Sequence, residues 1–447
     1  MPTITPVTPP GTGPASQTPL SQPLSAGLVT ALVGFSSSFV LVLTGLRAVG
    51  ADPRQAVSGL LLLCLAMGGL AIWFGLRHRQ PVSIAWSTPG AALLVNAGHQ
   101  SGGYRCAVGA FLIAGLLIAL TGRWRRLGSW ISSIPAPLAT ALLAGVLLPL
   151  CLAPVRAADQ LPALALPTIA VWALLTRIAR RWATPGALLT AIAALLVQHS
   201  LRLGHTGELL PAPTFTAPAF SLATTVSIAL PLYVITMASQ NIPGTAVLTH
   251  FGYRPRTRSI LVGTGLATAA GAVGGAYMVN LAAITAALVA GPDAHPDRER
   301  RWIASVTAGA VYLVLGLASG FSAALLSAAP PLLVEAAAGL ALLGTLGSAL
   351  SATLAQEQGR EAAVITFVVC ASGVTAFGIG SPVWALLAGL GAYALLAHRP
   401  VAGPAPVTSG PALQPDAGPS AAPLPGAYAS GRSDADSGHR IRPGRTP

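Results

Sequence analysis

The chain has 447 residues, 53% hydrophobic and 8% charged, with a mean hydropathy of +0.68 and a formal net charge of +13. A soluble globular protein carries about 25% charged residues, so this composition excludes an ordinary soluble domain. The excess of positive charge does not mark a nucleic-acid binder, because all 25 basic residues are Arg and most lie in short loops between long apolar runs.

The complete absence of Lys removes two further classes. There is no GxxxxGK[ST] phosphate loop for a self-contained ATP-driven pump, and no amine for a Schiff-base pigment. A transmembrane barrel would show weak alternating segments of about ten residues, and the runs here are long and uniformly apolar. The expected fold class is therefore an all-α polytopic membrane protein.

In chain order, residues 1–24 are rich in Pro, Thr and Ser, lack the basic region of a signal peptide, and read as a disordered tail. Residues 398–447 read the same way. Between them, 25–397 reads as the membrane domain, divided by loops and breakers into about fourteen apolar segments. These fall near 26–46, 56–76, 82–98, 106–122, 136–153, 161–176, 185–201, 221–249, 259–276, 277–291, 302–320, 330–354, 362–379 and 381–397. With the N-terminus inside the cell, 20 Arg fall on the cytoplasmic side and only Arg47, Arg54, Arg105, Arg156 and Arg202 outside. That asymmetry is the positive-inside rule. It predicts both termini in the cytoplasm of a cell (inner) membrane protein. Fourteen divides into seven plus seven, with repeats at 25–203 and 220–397. An odd number per half makes the second half inverted, as in many secondary transporters.

Segment one carries GFSSSF at 34–39, so Ser36 and Ser37 can line a pocket or bond their own helix backbone. Segment three reads SIAWSTPGAALLV. Trp86 ends a β-prone stretch, Ser87 and Thr88 are capping residue types, Thr88 is the expected N-cap, and Pro89 suits the first helical turn before Gly90. The helix from there is only half a membrane long. Segment eight holds Tyr233 and the adjacent amides Gln240 and Asn241, which either donate to a ligand or glue helices together. Segment ten, YMVNLAAITAALV, aligns without gaps on segment three, with Ala92, Leu94 and Val95 matching Ala286, Leu288 and Val289. There Tyr277 precedes an extended piece, and Asn280 is the expected cap of a helix through Leu281 and Ala282.

Segments three and ten enter from opposite sides in this topology. Their helix starts would meet near the midplane, where free N–H groups and the positive dipole ends favour an anion. The plainer reading is a kink satisfied by a neighbouring helix. Trp86, Phe35, Tyr233 and Tyr277 are candidate apolar walls. The four Cys have no metal-ligand spacing, the HExxH pattern is missing, and the His residues lie at span ends or in loops. No cofactor, metal or enzyme activity is expected.

SIAWSTPGAALL, IPAPLATALLAGVLLPLCL, ALPLYVITMASQNIPG, LAAITAAL, AGPDAHPDRERRWIA, AAVITFVVCASG and FGIGSPVWALLAGL, in this order from about 27 to 397, resemble the benzoate/proton symporter family. The resemblance implies a core and a gate domain, segments one, three, eight and ten around the substrate, and import of benzoate or a similar aromatic carboxylate with a proton. Nucleobase permeases of the wider superfamily carry acidic residues in segments eight and ten. The similar places here hold Gln240 and the Val279-Asn280 pair, which suits an anionic substrate. A same-fold carrier of another anion or a nucleobase, or an anion channel, remains the alternative. The expected partners are the substrate, protons and the lipid bilayer, with no nucleic acid, and a homodimer is left open.

Overall fold

A computed structural model describes residues 20–98, 102–124, 126, 134–197, 211–282, 284–327, 329–376 and 379–396. Both expected tails fall outside this set apart from residues 20–24, and those are not a tail: the first helix, α1 (Ser21–Ala48), already includes Ser21 to Leu24. It is followed by α2 (Pro53–His78), strand β1 (Ile84–Trp86), α3 (Thr88–Ala97), α4 (Gly103–Arg123), α5 (Ala136–Cys151), α6 (Ala153–Gln160), α7 (Pro162–Ile178) and α8 (Ala183–Val197). The second half comprises α9 (Leu222–His250), α10 (Thr257–Ala272), strand β2 (Val279–Leu281), α11 (Ile284–Ala290), α12 (Trp302–Leu317), α13 (Ser319–Ser327), α14 (Pro331–Leu354), α15 (Arg360–Ala371) and α16 (Ser381–Leu396). Among the described residues six stretches, namely α1, α2, α4, α5 with α6, α9 and α14, are long and apolar enough to cross a membrane alone. Helices α7, α8 and α16 are apolar but shorter.

Local chemistry sets the ends. Asp52 accepts from the Gln55 N–H at 2.8 Å while the Gln55 side chain accepts from the Asp52 N–H at 2.9 Å, with Pro53 at the first helical position. This reciprocal cap starts α2. Arg79 ends it in the left-handed region, at φ 50°.

Two proline positions shape α9. Its Thr225–Ala229 and Met237–Asn241 stretches are widened π-turns. Pro231 and Pro243 lack an N–H, and their rings crowd the carbonyl four residues back. Those carbonyls belong to Ser227 and Ser239, one inside each widened stretch. The wider turn removes the clash without breaking the helix.

Glycines permit two close helix crossings. Helix α4 packs along α10 and α2 along α12. A Cβ at Gly115 would lie 2.9 Å from the Gly265 carbonyl, and one at Gly265 would lie 2.6 Å from the Gly115 carbonyl. Gly68 and Gly309 repeat this at 2.6 and 2.8 Å. Lipid tails are as apolar as side chains, so such close backbone contact, rather than hydrophobic burial, draws membrane helices together. Elsewhere α5 packs on α14 and α15, α15 on α16, and α7 on α8, while α1 touches both α12 and α14.

Candidate functional site

Strands β1 and β2 pair antiparallel in the middle of the fold, with Ile84 opposite Leu281, Ala85 opposite Asn280 and Trp86 opposite Val279. The ladder extends through Ser87 N–H to Met278 O at 3.1 Å and Ala282 N–H to Ser83 O at 2.9 Å. A two-stranded sheet leaves edge N–H groups that a membrane interior cannot satisfy with water. Side chains do it here. The Thr268 hydroxyl accepts from Val279 N–H at 2.9 Å, and Asn241 Oδ1 accepts from Leu281 N–H at 3.0 Å.

Helix α3 starts from β1 one residue earlier than the sequence suggested. Ser87 is the cap, accepting from Gly90 N–H at 3.1 Å, and Thr88 is the first helical residue. Ser and Thr are both good caps. The ladder bond that holds Ser87 in extended geometry makes it the one that caps. The same hydroxyl bonds Thr236 of α9 at 2.8 Å, and the Tyr277 hydroxyl donates to Ser87 O at 2.7 Å. Of the first-turn amides, Pro89 has none, Gly90 is capped and Ala91 donates to Ser87 O. Only the Thr88 N–H has no partner among the described residues.

The second half differs from expectation. Asn280 is not a helix cap: it pairs in β2, and α11 begins at Ile284. The N–H groups of Leu281 and Ala282, expected to face a ligand, are held by Asn241 and Ser83 because the edge and the ladder need them. Asn241 is likewise committed to the scaffold, its amide also donating to the Met237 sulfur at 3.4 Å. The Asn280 amide N–H donates to Leu281 O at 3.0 Å, which leaves its Oδ1 fully buried and without a partner among the described residues.

All four aromatic candidates are buried. Phe35 meets Trp86 edge-on at 5.8 Å, and Trp86 donates from its indole to Ser38 at 2.9 Å. The Tyr233 hydroxyl bonds Thr121 of α4. Ser36 and Ser37 donate to carbonyls of their own helix, at Leu32 and Gly34. Gln240 is buried in the second widened turn of α9 and is itself engaged. The structure thus brings Phe35, Trp86, Ser87, Thr88, Tyr277 and Asn280 around the strand pair, and turns Ser36, Ser37 and Asn241 to structural work.

One residue was missed. Arg301 reads as a loop charge, yet it is 8% exposed and donates to Ala290 O at 2.7 Å, His295 O at 2.7 Å and Pro296 O at 3.4 Å. It clasps the carbonyl end of α11, where a cation is favourable. The DRERRW stretch contained it, but nothing in that run distinguishes Arg301 from Arg298 and Arg300.

Comparison with known proteins places this arrangement. The family model for benzoate membrane transport protein (BenE) matches residues 17–395. The inner membrane protein YdcO of Escherichia coli (strain K12) is 38% identical over 83% of this chain and 95% of its own length. The benzoate membrane transport protein of Acinetobacter baylyi is 30% identical over 83% and 94%. Among solved structures, the transmembrane domain of the cyanobacterial bicarbonate transporter BicA aligns over 84% of this chain and 97% of its own, with TM-score 0.55 and 15% identity. The overall structure of SLC26A9 aligns over 85% and 66%, with TM-score 0.57 and 14% identity. At that identity the likeness shows the fold alone. The chain belongs to the benzoate membrane transport protein family and is a multi-pass membrane transporter, not an enzyme.

Proposed function

We propose that this transporter imports benzoate or a similar aromatic carboxylate together with a proton, by alternating access. A relative named as a benzoate transporter supports the substrate class. The observation that carries the coupling is the pair of free groups at the strand junction: one donor, the Thr88 N–H, and one buried acceptor, Asn280 Oδ1. A carboxylate offers only acceptors, while a protonated carboxylic acid offers one O–H donor and acceptor capacity. Residues 81–98, 222–250 and 276–290 contain no Asp, Glu, Arg or Lys, so the substrate itself carries the proton into the site. Burying it neutral avoids the cost of an unpaired buried charge. Phe35 and Trp86 flank the ring.

Fourteen crossings in two inverted repeats, both termini cytoplasmic, complete this reading. It is supported by the reciprocal crossings: the second segment of one half lies on the fourth of the other, in both directions, each at a glycine pair. A pseudo-two-fold axis through the strand pair requires that exchange. The last three segments of each half, where α5 packs on α14 and α15, α15 on α16 and α7 on α8, are the gate of this reading, and the other segments are its core.

Uptake of labelled benzoate into proteoliposomes tests the proposal. Wild type should accumulate benzoate with an inward proton gradient and without net charge movement, and Thr88→Pro and Asn280→Leu should each lose most uptake while inserting normally. Normal uptake by both variants overturns the site. Charge movement with each benzoate overturns the self-carried proton, and stronger competition by an oxyanion or nucleobase overturns the substrate.

A further inference from the structure

A cavity of about 610 Å³ lies away from the strand junction, where the last turns of α2 and α4 meet the start of α10. Its lining combines two chemistries. Arg123 ends α4, Arg256 precedes α10 and Arg258 lies in its first turn, and all three are exposed. Leu70, Trp73 and Phe74 of α2 supply an apolar wall, with Trp73 61% exposed. No carboxylate lines the cavity among the described residues. The single ion pair among them, Arg300 with Asp297, is elsewhere, so among the described residues no carboxylate pairs with the three guanidinium groups.

We propose that this cavity binds an anionic phospholipid, its phosphate between Arg123, Arg256 and Arg258 and an acyl chain along Trp73 and Leu70. Guanidinium groups match phosphate oxygens with paired donors. Basic pockets between membrane helices on the cytoplasmic side bind such headgroups, and an aromatic ring at the interface suits the chain below. A free phosphate would use the arginines but leave the apolar wall without a role, and the wall decides for the lipid. The cavity spans the contact of α4 with α10, so a bound lipid also braces that crossing. Assignment to the cytoplasmic leaflet rests on the orientation proposed above, whereas binding itself does not.

The test is native mass spectrometry of the delipidated full-length protein in detergent, with added phosphatidylglycerol or phosphatidylcholine. Wild type is expected to retain phosphatidylglycerol at least about tenfold better, a difference of about 1.4 kcal/mol. R123Q/R256Q/R258Q should lose that preference, while R177Q/R180Q/R360Q, which removes the same charge at other loops, should keep it. Trp73→Ala should weaken retention of both lipids. Benzoate uptake by the first triple variant shows that it is folded. Equal retention of the two lipids by wild type, loss of preference in both triple variants, or displacement of phosphatidylglycerol by millimolar inorganic phosphate overturns the proposal. Failure of benzoate transport with intact lipid preference would strike the proposed function alone.

Discussion

At the scale of single residues, the site depends on hydroxyls and amides that satisfy backbone in a place without water. Ser87 serves the α3 start, the Thr236 link and the Tyr277 contact at once. Ser87→Ala should cost about 1 kcal/mol through the lost cap and lower uptake, read by thermal unfolding in detergent and by transport. Asn241→Leu leaves the Leu281 N–H unsatisfied, with an expected loss of about 1–3 kcal/mol and a lower apparent Tm. Arg301→Ala should likewise lower stability and uptake. Arg301→Lys should restore only part, because an ammonium cannot span three carbonyls as the planar guanidinium does. The need for a cap near residue 88 was legible in Ser87-Thr88-Pro89. Which hydroxyl caps was not, because the answer comes from a ladder bond to Met278, about 190 residues away in sequence by the spacing of a two-strand pair that only folding brings together.

At the scale of elements, close helix crossings set the frame around the strands. Gly68 and Gly69 are neighbours on α2, yet a Cβ at Gly68 meets the Gly309 carbonyl at 2.6 Å while one at Gly69 meets nothing within 4 Å. Gly68→Ala should therefore destabilise by about 1–3 kcal/mol through overpacking. Gly69→Ala should be neutral or stabilise by up to about 1 kcal/mol through helix propensity. Equal melting shifts for the two variants would contradict the crossing. Pro231 and Pro243 of α9 are helix breakers by residue type. Their outcome, two widened turns in an unbroken helix, depends on neighbours that hold the helix on both sides.

At the scale of the whole molecule, the packing of α4 on α10 and of α2 on α12 links the two strands to a common frame. Because the proposed substrate enters as the neutral acid, uptake should rise as external pH falls. A carboxylic acid with a pKa of about 4 gains roughly tenfold in protonated fraction per pH unit above that value. Initial uptake at fixed internal pH and fixed total benzoate measures this, and a flat profile between about pH 5 and 7 would contradict it. Protease removal of a C-terminal tag from right-side-out vesicles should fail, since both termini are proposed to be inside.

The sequence by itself determined the membrane class, the apolar runs and the interruption at residues 84–90, because each follows from composition and short-range spacing. Tertiary structure decided which polar groups stay free. Ser36, Ser37 and Asn241 read in one dimension as either pocket or structural groups, and Leu281 and Ala282 as part of a helix start facing a ligand. In three dimensions each is held by a bond inside the fold, Ser36, Ser37 and Ala282 to backbone carbonyls and the Leu281 N–H to Asn241, because polar groups in a dry interior must find partners.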